Sequence, residues 1–205
     1  MHPDRATTPA DALDRAFAAA PRAGFLPSSE TRFAGLDRPL PIGHGQTNSQ
    51  PTTVRHLLHH LDVRPGQRVL DVGCGSGWTT ALLAHLVGPD GAVVGVEIVP
   101  ELVDFGQSNL ARTGTPTARI EAADPEVLGH PEAAPYDRIL VSAEAQEVPA
   151  ALVDQLGVDG VLVVPVDGRL AVVRRSGPHA EPEVRLVGHY AFVPLLEPGR
   201  PGAGQ

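Results

Sequence analysis

The stretch Val69-Leu70-Asp71-Val72-Gly73-Cys74-Gly75-Ser76-Gly77-Trp78 restricts the folding of this chain more than any other. A short apolar strand runs directly into three glycines within five residues, and a helical pattern follows at once. Glycine at such a junction lets the backbone turn sharply and lie against a ligand, while the new helix offers free N–H groups. The spacing is G-x-G-x-G and not the G-x-G-x-x-G of a pyrophosphate-binding turn. A strand, a glycine turn and a helix in that order open a sheet of parallel strands joined by crossover helices.

The rest of the chain keeps the rhythm. Strand patterns stand at RVLDV, VVGVE, around Ile120 and at RILVSA, separated by helices over Trp78 to Val87 and through Leu102 and Leu110. Ahead of them, residues Asp11 to Ala20 read as an Ala-rich helix closed by Pro21, and Val54, Leu57, Leu58 and Leu61 mark the buried face of a helix opened by Pro51 and stopped at Pro65-Gly66. Between these two helices, 22–48 reads as a long irregular binding loop. After RILVSA the pattern predicts a helix near Ala150 to Leu156, a turn at Asp159-Gly160, the strand VLVVPV, and further strands ending at HYAFVPLL. The expected fold class is α/β, a mostly parallel central sheet with helices on both faces and a C-terminal antiparallel hairpin. Residues 1–196 are expected to form one domain, with 1–50 as N-terminal helix and acceptor-binding loop and 197–205 as a disordered tail.

Composition narrows the chemistry. All 16 cations are Arg, since no Lys occurs, which removes Walker-type phosphate loops, Schiff-base lysines and pyridoxal-phosphate anchors. A net charge of −8 argues against a nucleic-acid partner. Cys74 is the only cysteine, which excludes an intrachain disulfide and any cysteine metal cluster, and no metal is expected. No apolar run is long enough for a membrane span and the first 20 residues lack a secretory apolar core, so a cytoplasmic location is expected.

Acids at the strand ends suggest what the glycine turn holds. Asp71 stands beside the turn, Glu97 closes the second strand where an acid commonly accepts from ribose hydroxyls, and Asp124 follows the third strand within reach of an adenine amino group. A carboxylate such as Asp71 beside the turn suits the ammonium end of S-adenosylmethionine, directly or through water, and would repel a pyrophosphate. Taken singly these features also fit a tight turn with solvated acids, and Asp124 equally fits a turn cap; their common register is what favours a cofactor site.

At RPLPIGHGQTNSQPTTV, APYDRILVSA, QLGVDGVLVVPV and FVPL the sequence resembles the protein-L-isoaspartate O-methyltransferases, from about Pro21 to Leu195. The resemblance implies a Rossmann-like class I methyltransferase fold and methyl transfer from S-adenosylmethionine to the free carboxylate of an isoaspartyl residue, which begins repair through a succinimide and leaves S-adenosylhomocysteine. It puts Ser49 on the active-site serine with Thr47 in the same loop. Asp71, Gly73, Cys74, Gly75, Gly77, Glu97, Ile98 and Asp124 fall on the cofactor shell. Gln46, Asn48, Phe192, Val193, Pro194 and Leu195 fall on the segments that hold the acceptor. The resemblance implies a monomer whose partner is the isoaspartyl peptide or protein. Two positions depart from the family pattern: Asn48 stands where an apolar residue is usual, and Pro125 follows Asp124 in place of Gly. The departures leave two alternatives, a methyltransferase for a dedicated peptide or small-molecule carboxylate and a non-catalytic cofactor-binding homologue.

Several residues have simpler readings. Ser49 also suits the capping position ahead of Pro51. His56, His59 and His60 lack a third ligand and read as a helix surface. Cys74 is a small packing residue, Trp78 either borders the cofactor or packs, and Arg174-Arg175 reads as a solvated edge-strand pair.

Overall fold

The computed structural model describes residues 9–177 and 180–196. Helix α1 (Pro9–Ala19) leads through two 3-10 turns, Arg22–Phe25 and Thr31–Phe33, to a small hairpin of β1 (Leu40–Gly43) and β2 (Gln46–Asn48). The segment expected to be wholly irregular is therefore folded, and Leu40, Ile42, Leu26 and Leu102 form a satellite core beneath it. Helix α2 (Pro51–Leu61) follows with the predicted face buried. Its free N-terminal N–H of Thr52 is capped by the Asp37 carboxylate at 2.9 Å, so the capping role that suited Ser49 is filled from the preceding loop.

Seven strands form one sheet in the order β5-β4-β3-β6-β7-β8-β9: β3 (Arg68–Val72), β4 (Ala92–Glu97), β5 (Ala118–Ala122), β6 (Tyr136–Val141), β7 (Leu156–Val166), β8 (Arg169–Arg175) and β9 (Glu183–Val187). The first five in that order run parallel, and β8 and β9 add antiparallel pairings. The central strands read as continuous apolar runs because both faces are covered. One face carries α1, α2, α3 (Trp78–Val87) and α4 (Pro100–Ala111), packed on Val69, Val93, Leu140 and Val163. The other face holds Leu70, Val94, Ile139 and Leu162 under the short α5 (Ala150–Asp154) and the segment around Leu128. Helix α3 buries nine of its ten residues, as a helix wedged between sheet and outer helices must.

The C-terminal region departs from the pattern-based expectation in three ways. Asp159-Gly160 is no turn: it lies inside the 11-residue β7, where Asp159 adopts φ 61° at an irregularity in the pairing with β6. The chain reverses instead at Asp167-Gly168, whose paired positive φ values of 48° and 70° suit a two-residue hairpin. HYAFVPLL is not a strand of the sheet but a strap that returns over the strand ends, with Pro194 bridging Glu144. Arg174-Arg175 sits on β8, which β9 covers, so it is not an edge pair; Arg175 donates to the carbonyl of Leu156 at 2.6 Å. The tail expected at 197–205 lies outside the described residues.

Candidate functional site

Strand order reverses between β4 and β6 on either side of β3, and in open α/β sheets such a switch point leaves a crevice at the carboxyl ends of the strands. A cleft of about 1000 Å³, counting its solvent-open part, lies there. It is lined by the glycine turn, by the end of β4, and by the loop of β2 with the C-terminal strap.

Gly73, Gly75 and Gly77 all have positive φ, 72°, 52° and 82°. The turn is pinned to β4 by Gly73 and Cys74, whose N–H groups donate to the carbonyl of Val96 at 2.9 and 3.1 Å. Gly73, Cys74 and Gly75 line the cleft, but Gly77 does not. A Cβ on Gly77 would lie 2.8 Å from Ile120 Cδ1 and 3.1 Å from the carbonyl of Gly106, so its service is to close packing of the helices and not to ligand contact. Cys74 is buried, and desolvation, reinforced by Asp71 and Glu97, pushes its thiol well above the ordinary range. That suits packing and leaves no nucleophile.

Glu97 and Ile98 line the cleft as expected. The Glu97 carboxylate accepts from the N–H of Gly75 at 2.9 Å and from Ile98 and Val99 at 2.8 and 3.0 Å, so it holds the glycine turn against β4 and keeps acceptor capacity at the cleft that it lines. Asp124 lines the opposite end and also accepts from the N–H of Glu126 at 2.8 Å, so it caps its turn and faces the cleft at once. Pro125 beside it lines the cleft too.

Asp71 differs from the exposed acid that its position suggested. It is fully buried behind the turn and is not among the lining residues. Its Oδ2 accepts from the hydroxyls of Thr79 and Thr80 at 2.6 and 2.8 Å. Its Oδ1 and the buried Oγ of Ser142, which borders the cleft, make no hydrogen bond of full geometry, yet the Ser142 hydroxyl lies close enough to help hold the Asp71 carboxyl down. Burial, outweighing those hydroxyl donors, lifts the Asp71 carboxyl to about 6. A buried acceptor short of a full hydrogen bond is costly.

The acceptor wall holds Gln46, Thr47, Asn48, Ser49, Ile42 and Val54, faced by Val193, Pro194 and Leu195. Ser49 and Thr47 stand there as expected. Asn48 is turned inward, 4% exposed, accepting from Arg22 Nε at 2.7 Å and donating to Ser76 Oγ at 3.1 Å, so its amide is committed to protein partners. Phe192 does not line the cleft; it is partly buried and packs against the larger core cluster. The strap is held as an added strand by Glu144, whose N–H donates to Val193 and whose carbonyl accepts from Leu195, both at 2.8 Å. Trp78 packs, its indole N–H donating to the carbonyl of Ala20 at 2.9 Å, and it also borders the cleft. His56 meets the hydroxyl of Tyr190 at 3.0 Å, tying α2 to the base of the strap. Among the described residues no group of three His, Cys, Asp or Glu converges on a common point.

Two residues that sequence patterns did not single out belong to the site. Ser142, within RILVSA, comes directly after β6, and its place at a strand's carboxyl end is a usable signal. Arg22 lies under the acceptor loop, 6% exposed, and nothing in periodicity marks it.

The protein-family model described as Protein-L-isoaspartate(D-aspartate) O-methyltransferase (PCMT) matches residues 4–199. A protein-L-isoaspartate O-methyltransferase of Methanopyrus kandleri is 44% identical over 180 residues, 86% of this chain and 79% of that protein. One from Pyrococcus horikoshii is 40% identical over 190 residues, 90% of this chain and 84% of that protein. Among solved structures, a protein-L-isoaspartate O-methyltransferase superposes with a TM-score of 0.79 at 27% identity over 90% of this chain, which spans 61% of that longer one. A Plasmodium falciparum structure assigned to the same activity, in complex with S-adenosyl-L-homocysteine, superposes with a TM-score of 0.77 at 26% identity, covering 90% of each chain.

Proposed function

Because the chain belongs to the protein-L-isoaspartate(D-aspartate) O-methyltransferase family, we propose that it methylates the free carboxylate of L-isoaspartyl residues in damaged proteins or peptides, the first step of their repair through a succinimide. The methyl donor is S-adenosylmethionine and the product S-adenosylhomocysteine. Residues 1–196 act as one methyltransferase domain in this proposal.

The residues present fit the donor. Glu97 offers acceptors for the ribose hydroxyls and Asp124 faces the adenine end; the Ser142 hydroxyl at the cleft, with the Asp71 carboxylate buried behind it, suits an ammonium group. When bound, S-adenosylmethionine supplies a methyl group on a positively charged sulfur, already activated for displacement. The protein's own share is positioning. An acceptor carboxylate, with a reference pKa of about 4, is ionised at neutral pH and needs no base. Alignment alone can contribute about 7 to 11 kcal/mol. The observation that carries the proposal is the make-up of the acceptor wall: from Gln46 to Ser49, and at Ile42, Val54 and Val193 to Leu196, no lining side chain titrates. Such a wall serves an acceptor that is already ionised and would serve an alcohol or amine poorly. Ser49 orients the carboxylate by one hydrogen bond, with Thr47 beside it, and Val193 to Leu195 hold the acceptor backbone.

The test is incubation with labelled S-adenosylmethionine and matched peptides containing isoaspartate or aspartate. Base-labile methyl ester on the isoaspartyl peptide alone is the expected result. Labelling of aspartate instead, or donor binding without turnover on either peptide, overturns it.

A further inference from the structure

Among the described residues Arg22 is buried without an ion-pair partner in hydrogen-bonding range, Asp37 being the carboxylate whose charge it feels. Its guanidinium instead makes five hydrogen bonds: to Asn48 Oδ1 at 2.7 Å, to the carbonyls of Leu36 and Arg38 at 3.0 and 2.9 Å, and to those of Asn48 and Ser49 at 2.9 and 3.0 Å. Two loop stretches that have little regular pairing of their own thus converge on one planar fork. Lysine, a point charge with three donors on one atom, cannot hold that set. Asn48 carries the connection onward, since its Nδ2 donates to Ser76 Oγ at 3.1 Å, and the carbonyl of Ser76 accepts from Asn109 Nδ2 at 2.9 Å. A continuous buried polar chain therefore runs from the N-terminal segment through the acceptor loop into the glycine turn and on to α4.

Ser49 is the next residue after Asn48, and Ser76 lies in the turn that floors the donor site. We propose that Arg22 and Asn48 are positioning residues that lock the acceptor loop to the glycine turn through Ser76, so that acceptor carboxylate and methyl donor meet in register. This rests on the methyltransferase function above. The Asn48 amide is engaged at its oxygen by Arg22 and at its nitrogen by Ser76. Its effect on the reaction is transmitted through the placement of Ser49, and misplacement by about 1 Å can lower a rate about 100-fold.

The experiment measures kcat and KM on the isoaspartyl peptide, and calorimetric S-adenosylhomocysteine affinity, for Asn48→Ala, Ser76→Ala and their double variant. Each single change is expected to lower kcat about 10-fold while leaving product affinity within about 2-fold, and the double variant is expected to match the singles because one link is broken in each case. Arg22→Lys, which keeps charge and loses the fork, is expected to lower kcat likewise. Should Arg22→Lys fail to fold, the Asn48 and Ser76 pair decides alone, since each removes one polar group with circular dichroism as a check. Wild-type kcat in the single variants, a double variant about 100-fold down, or parallel loss of product affinity and kcat overturns the proposal. An unmodified protein that methylates no isoaspartyl peptide instead defeats the function on which it rests.

Discussion

Single residues set the chemistry of this site through burial more than through type. Asp71 is the clearest case. Its carboxyl is lifted from 3.8 to about 6 by desolvation, so the folded state binds a proton more tightly than the unfolded chain does. Stability is then fully retained below about pH 4 and falls as pH rises toward 6, the folded protein bearing a cost on the order of 3 kcal/mol at neutral pH. Asp71→Asn is expected to raise the melting temperature of the free protein by several degrees at pH 7.5 and by much less at pH 4, in calorimetric scans, and to weaken S-adenosylhomocysteine binding about 10-fold. An equal shift at both pH values would show that burial of the charge is not the cause. Ser49 is the complementary case, a hydroxyl at the cleft wall whose carbonyl, and not its side chain, is tied to Arg22. Ser49→Ala is expected to lower kcat about 10-fold with unchanged product affinity; the two falling together would contradict an orienting role. Ser49 and Glu97 were legible because motif and strand end coincide with chemistry, whereas the commitment of the Asn48 amide depends on Arg22 and Ser76, 26 and 28 residues away.

At the scale of elements, the glycine turn works because neighbours approach it closely. Helix α4 touches it through Gly106, where a Cβ would lie 2.9 Å from the carbonyl of Gly75 and 3.0 Å from Ile120 Cδ1. Gly106→Ala is expected to cost about 1 to 3 kcal/mol, read as a fall in melting temperature of about 3 to 10 °C, together with weaker product binding because the displaced atom belongs to the cleft floor. Helices and parallel strands were readable in the sequence because each buries a face of fixed period: Val54, Leu57, Leu58 and Leu61 for α2, and the apolar runs for β3, β4 and β6. The failures have a common cause. Asp159-Gly160 has turn chemistry, yet it lies within β7, where Gly160 pairs with Arg175 of β8. HYAFVPLL has strand composition, yet its partner is a loop, Glu144 and Ala145's neighbourhood, and not a strand. Local preference yields to pairing partners that lie far along the chain.

For the molecule as a whole, the sheet and the acceptor wall are separable to different degrees. The last strand ends at Val187, while the strap beyond it supplies Val193 to Leu195 and is held by Gly168, Glu144 and the Tyr190 to His56 contact. A chain ended after Gly188 is expected to fold with a lower melting temperature and to bind S-adenosylhomocysteine within a few-fold of the full chain, while methylation of the isoaspartyl peptide falls about 100-fold or more. Retained methylation would show that the strap does not hold the acceptor. The sequence by itself determined the α/β class, the glycine turn with its strand-end acids, and the family, because these depend on short-range spacing and side-chain periodicity. Only the tertiary structure decided that Asp71 is sealed behind the turn beside the Ser142 hydroxyl, that Gly77 serves helix packing, that Asn48 faces inward, and that Arg22 gathers the acceptor loop. Each of these turns on what distant segments bring within about 3 Å of one another, and burial and hydrogen-bond completion at that range have no local sequence signature.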